Sequence, residues 1–145
     1  MAVTITLYNH TVKKLVNEEF NFATWKVLLL DASASFDATH TTKAQVLSPS
    51  PNPEVYGNGW TEGGEAVANV AASVITTNDA KIDGDDVSKT ASGGSIGPAY
   101  YALLYDSNDN STIAWIDFGG LQEAGDATDF KIIWNASGIL TFTYT

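Results

Sequence analysis

The sequence contains no cysteine and no arginine. Its 145 residues include seven basic residues, all of them lysine, and seventeen acidic residues, which gives a formal net charge of −10. Without cysteine, a disulfide bond, a thiolate metal site and a cysteine nucleophile are all excluded. Nucleic-acid binding depends on cations that neutralise phosphates, and arginine is the favoured bidentate donor. We therefore expect neither a nucleic-acid partner nor an anionic membrane surface.

The sequence also lacks long hydrophobic runs. The longest, such as residues 27–30, are far too short to span a bilayer. The first residues, MAVTITLYNHTVKKLV, do not show the basic-then-apolar order of a secretion signal. This composition fits a chain made and kept in a reducing cytoplasm, so we expect the glycosylation motifs at Asn9, Asn110 and Asn135 to be coincidental.

Hydrophobic periodicity at the N-terminus predicts one short helix and one strand within a single domain, residues 1–145. The helix is expected over about residues 6–20, because apolar side chains recur there at three- and four-residue spacing. These apolar residues are Tyr8, Val12, Leu15, Val16 and Phe20. Residues 25–30, WKVLLL, are typical of a buried strand.

An extended loop is predicted over about residues 31–58. Its first part, residues 31–53, is rich in Ala, Ser and Thr and ends with Pro49, Pro51 and Pro53. Each proline fixes φ, removes an N–H donor and favours extended geometry in the preceding residue. One helical turn is expected near residues 41–46. Loops of this length without their own secondary structure are uncommon in compact domains and are often functional.

In the remainder, about residues 60–145, short strand-like segments alternate with turn signals, as in an all-β domain. Strands are expected at residues 100–105, 112–118, 130–134 and 139–144, and one or two more between residues 67 and 75. We expect turns at the Asp-rich segment NDAKIDGDD and at Gly93, Gly94, Gly97 and Pro98. The last two strands are expected to pair through a turn at residues 135–138. The predicted fold is mainly β, an antiparallel β-sandwich or jelly-roll-like arrangement with one short N-terminal helix.

The sequence offers little for catalysis. Neither His10 nor His40 lies in a motif with a nucleophile, and a general base needs a positioned partner. Paired carboxylates, such as Asp85 with Asp86 or Glu62 with Glu65, are expected by chance in so acidic a chain. We therefore predict no catalytic residues, no cofactor and no enzymatic activity.

Two Asp-rich segments raise the question of calcium. Asp106, Asn108, Asn110 and Asp117 fall at the first, third, fifth and twelfth positions of an EF-hand-like spacing. Ser111, however, replaces the glycine that such a loop needs for its sharp turn, and strand-like segments flank it. A β-hairpin loop explains DSNDNS better, and the cluster of Asp79, Asp83, Asp85 and Asp86 is read in the same way. No metal site is predicted.

Aromatic residues provide the candidate contact surface. Trp25, Trp115 and Trp134 stand in strand-like runs and are expected in the core. Trp60 stands in a Gly-rich segment, and it is either an exposed interface anchor or a lid that folds back on the core. The candidate partner interface consists of Pro49, Pro51, Pro53, Tyr56 and Trp60.

A set of motifs extends over nearly the whole chain. LYNHTVKKLVNEEF and TWKVLLLD are followed by YGNGWTEGG, KIDGDDVSKTASGGSI, YYALLYD, TIAWIDFGG and FKIIWNASGILTFTY. Together they resemble a family of small structural proteins of tailed bacteriophages, of the capsid decoration (cement) type. These motifs include no catalytic motif, so they identify a family better than an activity.

The resemblance implies a virion component made in the host bacterial cytoplasm and located on the capsid exterior. Decoration proteins that this chain resembles bind the outside of the major capsid protein shell, often as dimers or trimers. We accordingly expect self-association and shell binding through residues 31–60. The alternative is a tail-associated carbohydrate- or receptor-binding module, or another minor tail protein. In that case Tyr56 and Trp60 would form a sugar-stacking platform and the Asp clusters would hold calcium.

Overall fold

The computed structural model describes residues 3–76 and 79–143 of the chain. The strands in these residues are β1 (Thr4–Leu7), β2 (Trp25–Leu30), β3 (Glu54–Val55), β4 (Glu65–Ala66), β5 (Ala71–Thr76), β6 (Asp79–Asp83), β7 (Val87–Thr90), β8 (Ile96–Asp106), β9 (Ser111–Ala124), β10 (Asp129–Ile132) and β11 (Leu140–Phe142). Two short helices, α1 (Thr11–Val16) and α2 (Lys43–Val46), and a 3-10 helix at Phe22–Thr24 complete the secondary structure.

The largest sheet is built around the β8–β9 hairpin. Its strand order is β1-β9-β8-β2-β3, and β4 also pairs with β2. β3 pairs with β2 at Leu29 and Leu30, whereas β4 pairs with it at Lys26 and Val27. All of these pairings are antiparallel, and residues 3–76 and 79–143 contain no helix long and apolar enough to cross a membrane.

Two smaller antiparallel sheets, β10-β7 and β11-β6-β5, lie against one face of the main sheet. The core between them takes Val27 and Leu29 from β2 and apolar side chains from both small sheets. The small-sheet contributors include Ile82, Val87, Phe130, Ile132 and Leu140. The prediction of a mainly β fold with antiparallel sheets in a sandwich-like arrangement is confirmed.

The opposite face of the main sheet is covered by residues 31–53, which we call the excursion. Leu28 and Leu30 of β2 point to this side and form a second core with Ala34 and Val46 of the excursion, all within 6% exposure. Burial of β2 on both faces explains why its sequence is a continuous apolar run rather than an alternating one. The excursion therefore has a packing role that its sequence did not indicate, while the predicted helical turn is confirmed as α2.

The N-terminal helix is shorter than predicted. Residues 4–7, Thr-Ile-Thr-Leu, form β1 on the edge of the main sheet, and α1 occupies only Thr11–Val16. Ile5 and Leu7 alternate with Thr4 and Thr6 just before the apolar stripe. This two-residue period is the pattern of a strand. The predicted strand at residues 25–30 is confirmed as β2.

The predicted C-terminal hairpin is wrong. A turn does form at residues 135–138, where the Gly138 N–H donates to the Asn135 carbonyl over 2.8 Å. However, β10 pairs with β7 and β11 pairs with β6, so the two strands belong to different sheets. The turn carries the chain from one small sheet to the other. Tyr144, the last apolar residue of the predicted final strand, lies outside the described residues.

Two predicted breaks are in fact strands. Asp79–Asp83, expected as an Asp-rich turn, forms β6, the centre of the three-stranded sheet. Gly97 and Pro98 lie inside β8 and not before it. The pairing of β8 with β9 is irregular on both sides of Ala99. Glycine and proline, which regular strand pairing disfavours, are accommodated at this end of the hairpin for that reason.

Candidate functional site

The five residues of the candidate interface have different environments. Pro49 and Pro51 belong to a fully exposed segment, residues 48–52, which we call the proline tip. Tyr56 is 54% exposed, and it is among the most exposed large apolar side chains that the structure describes. Pro53 is buried, and Trp60 is 2% exposed. Among these five residues, Pro49, Pro51 and Tyr56 are therefore the accessible ones.

Hydrogen bonds fix both ends of the proline tip. Before it, the Gln45 side chain accepts from the Thr41 and Thr42 N–H groups over 2.8 and 3.1 Å, which caps α2. After it, the Asp31 N–H donates to the buried Pro53 carbonyl over 2.9 Å. The tip consequently projects from a fixed base rather than from a free loop.

A tight turn separates Tyr56 from Trp60. Gly57 and Trp60 exchange two backbone hydrogen bonds of 2.8 and 3.1 Å, and Gly57 and Gly59 have φ values of 101° and 110°. A Cβ on Gly59 would lie 2.5 Å from the Thr90 carbonyl oxygen, so only glycine fits this close approach. The turn directs Trp60 inward, where its ring meets Phe130 edge to face at 5.4 Å. Trp60 is thus the lid on the core and not an exposed anchor.

The chain on either side of Tyr56 is anchored to the main sheet. The Tyr105 hydroxyl of β8 donates to the Gly63 carbonyl over 2.5 Å, and the Gly63 N–H donates to the Glu54 carboxylate. Burial, together with the negative charge of Glu54, raises the pKa of Tyr105 to about 12. Burial also raises the pKa of Glu54, against the hydrogen bond from Gly63. Tyr56 therefore stands on a rigid support.

A groove of about 880 Å³ lies at the opposite edge of the main sheet, between β1 and the strands β10 and β11. Val3, Ile5 and Ile133 line it and are 59%, 39% and 71% exposed. Two carboxylates, Glu123 and Asp129, also line it, and Asp129 lies 3.5 Å from the Lys131 ammonium. A hydrogen bond from Thr90 is the largest of the effects that lower the pKa of Asp129.

The first Asp-rich segment is a hairpin loop, as predicted, because β8 and β9 pair directly across it. Asp106 is fully buried, and its carboxylate accepts from the Asn21 N–H, the Thr24 hydroxyl and the Asn108 N–H over 2.5–2.9 Å. Asp109 lies 2.6 Å from the Lys14 ammonium. Both carboxylates are thus engaged by protein donors.

The second Asp-rich segment is engaged in the same way. The Asp86 carboxylate accepts from the Trp134 N–H over 2.9 Å, and Asp85 accepts from the Asn69 side chain over 2.7 Å. Asp83 lies 2.9 Å from the Lys81 ammonium. Within residues 3–76 and 79–143, no group of three or more His, Asp or Glu side chains is arranged to hold a metal ion.

The two histidines both meet β9 at Thr112. His10 Nε2 lies 2.8 Å from the Thr112 carbonyl oxygen and 2.9 Å from its hydroxyl. That hydroxyl donates to the His40 carbonyl over 2.9 Å. These contacts join the N-terminal segment and the excursion to the main sheet, through the imidazole of His10 and the backbone of His40.

Comparison with known proteins found no match for this chain among protein-family models, curated proteins or solved structures.

Proposed function

We propose that this chain is a structural protein of a tailed-bacteriophage virion, a decoration protein that binds the outer surface of the major capsid protein shell. The motifs that resemble this family supply the class of protein. The observation that carries the proposal is the projection of the proline tip and Tyr56 from a fixed base. An attachment protein needs such a surface, because a rigid contact loses little conformational entropy on binding.

The mode of action is stabilisation by mass action. A protein that binds the assembled shell, and not its separated subunits, shifts the equilibrium toward the shell. The net charge of −10 keeps such a protein soluble at the high concentration that precedes assembly. In this proposal the protein is made in the host bacterial cytoplasm and ends on the capsid exterior.

No catalytic step belongs to the proposal. The groove beside β1 is lined by two carboxylates, Glu123 and Asp129. A general acid needs a pKa near the working pH, but hydrogen bonding holds the pKa of Asp129 below its ordinary value. Asp129 is therefore poorly suited to act as a general acid.

The alternative is a tail-associated carbohydrate- or receptor-binding module or another minor tail protein, and the buried Trp60 weakens the carbohydrate-binding form of it. A sugar-stacking platform needs an exposed ring, and Trp60 is buried against Phe130. Tyr56 remains as a single exposed ring without a partner platform in the candidate interface. The carboxylates that would have held calcium accept hydrogen bonds from the protein.

The test is co-sedimentation of the purified chain with undecorated shells of the phage that encodes it. We expect Tyr56→Ala to weaken binding by at least about tenfold, and replacement of Pro49 and Pro51 together by alanine to weaken it further. Ile133→Ala is the matched control, because Ile133 is 71% exposed but lines the groove at the other edge of the main sheet. Failure of the parent chain to bind the shells would refute the function. Equal binding by parent and tip variants would refute the assigned surface.

A further inference from the structure

The strand β5 is an edge strand with an unprotected outer side. It pairs with β6 on one side, and no strand pairs with its other side in the part of the chain that the structure describes. Natural edge strands are usually shielded by charges, prolines or a covering segment, because their free N–H and C=O groups recruit other strands. The described side chains of β5 are all exposed, including Val74 at 77% and Ile75 at 45%.

The strand β5 itself carries no charged residue. No charged residue stands between Glu65 and Asp79, although the chain as a whole carries a net charge of −10. Two copies of so acidic a protein repel each other over most of their surfaces. An uncharged strand edge is a place where two copies can meet without opposing like charges. The side chain next to it on β6, Lys81, is already neutralised by Asp83 at 2.9 Å.

An apolar notch of about 360 Å³ lies beside this edge. It is lined by Ala72 of β5 and by Leu15, Glu18, Phe20 and Phe22 from the N-terminal segment. Strands added to a sheet edge gain affinity from backbone hydrogen bonds and specificity from pockets that take alternate side chains. The notch is such a pocket.

The side chains of β5 are complementary to the edge of the same strand in a second copy. Ala72 pairs with Ile82 and Val74 with Ala80, so Ala72 and Val74 share the face of the sheet that the buried Ile82 occupies. In an antiparallel pairing centred on Ser73, Ala72 of one copy lies opposite Val74 of the other. Directly opposite residues lie on the same face. The exposed Val74 of each copy would then fill the notch beside Ala72 of its partner.

We propose that two copies of this chain associate by antiparallel pairing of their β5 strands, centred on Ser73. The contact is isologous, so it closes on itself and yields a dimer. The paired edges join the two three-stranded sheets into one continuous sheet. This inference does not depend on the proposed function, because it concerns the free protein and a surface other than the proline tip.

Sedimentation velocity of the full chain over a range of concentrations tests the dimer. We expect Val74→Asp to raise the dimer dissociation constant by at least about tenfold, because a carboxylate in the notch would lose solvation and be repelled by Glu18. Ile133→Asp is the matched control, since Ile133 is similarly exposed at 71% and lies elsewhere. Ile133→Asp should dimerise like the parent, provided that both variants melt normally.

Cysteine cross-linking tests the register. The chain has no cysteine, so Ser73→Cys introduces a single thiol at the proposed two-fold axis. Opposite Cα atoms in an antiparallel pair are about 4.5–5.5 Å apart, within disulfide range. We expect Ser73→Cys to form a covalent dimer under mild oxidation and Ile133→Cys not to do so. A monomeric or trimeric parent, a dimer that survives Val74→Asp, or no cross-link at Ser73→Cys would each overturn the proposal.

Discussion

Trp60 and Tyr56 lie four residues apart in the chain and have opposite environments. The Gly57–Trp60 turn sends the indole into the core and leaves the phenol ring 54% exposed. Composition alone could identify both as candidate anchors, because large aromatic residues dominate cores and interfaces alike. The direction of each ring depends on the close approach of Gly59 to Thr90, a contact between distant parts of the chain.

We expect Trp60→Ala to lower the free energy of unfolding by about 3–5 kcal/mol, because it removes a buried aromatic ring and leaves a cavity. Trp60→Phe should cost much less. The indole N–H is buried and has no hydrogen-bond partner among the described residues, and the phenyl ring can still pack on Phe130.

Tyr56→Ala serves as the exposed control and should change the stability by no more than about 0.5 kcal/mol. Urea denaturation of the three variants and the parent measures all of these effects. Equal stability losses in Trp60→Ala and Tyr56→Ala would contradict the assigned environments.

Among the elements, the strands β2, β8 and β9 were predictable because each contains an uninterrupted run of apolar or β-branched residues. The strands with which β10 and β11 pair could not be predicted. The local patterns of β10 and β11 and the turn between them were recognisable. Their pairing, however, depends on partner residues that lie 39–45 residues earlier for β10 and 58–62 residues earlier for β11. β6 itself was hidden by its alternating Asp and Lys residues, which are typical of turns as well as of exposed strand faces.

The β8–β9 loop is the element that bears on calcium. Asp106 is buried and accepts three hydrogen bonds from the protein, so its folded conformation does not depend on a cation. We expect thermal melts in calcium and in a chelator to agree within a few degrees. An increase of ten degrees or more in calcium would contradict the description of DSNDNS as a self-sufficient hairpin loop.

At the scale of the whole molecule, the two faces of the main sheet have separate functions. One face carries the sandwich core, and the other is covered by the excursion, whose base positions the proline tip. The sequence predicted the excursion as an interaction loop but gave no sign that it also closes a second core. Of the five residues of the candidate interface, Pro49, Pro51 and Tyr56 remain exposed, and the test of the interface concentrates on these three.

The copy number of the chain in purified phage particles tests the decoration function most directly. A decoration protein covers a lattice, whereas a tail-associated module occurs at one vertex. Quantitative mass spectrometry of particles from the phage that encodes this chain should therefore find it in hundreds of copies, in a fixed ratio to the major capsid protein. Its absence from the particles, or its presence in only a few copies, would contradict the proposed function.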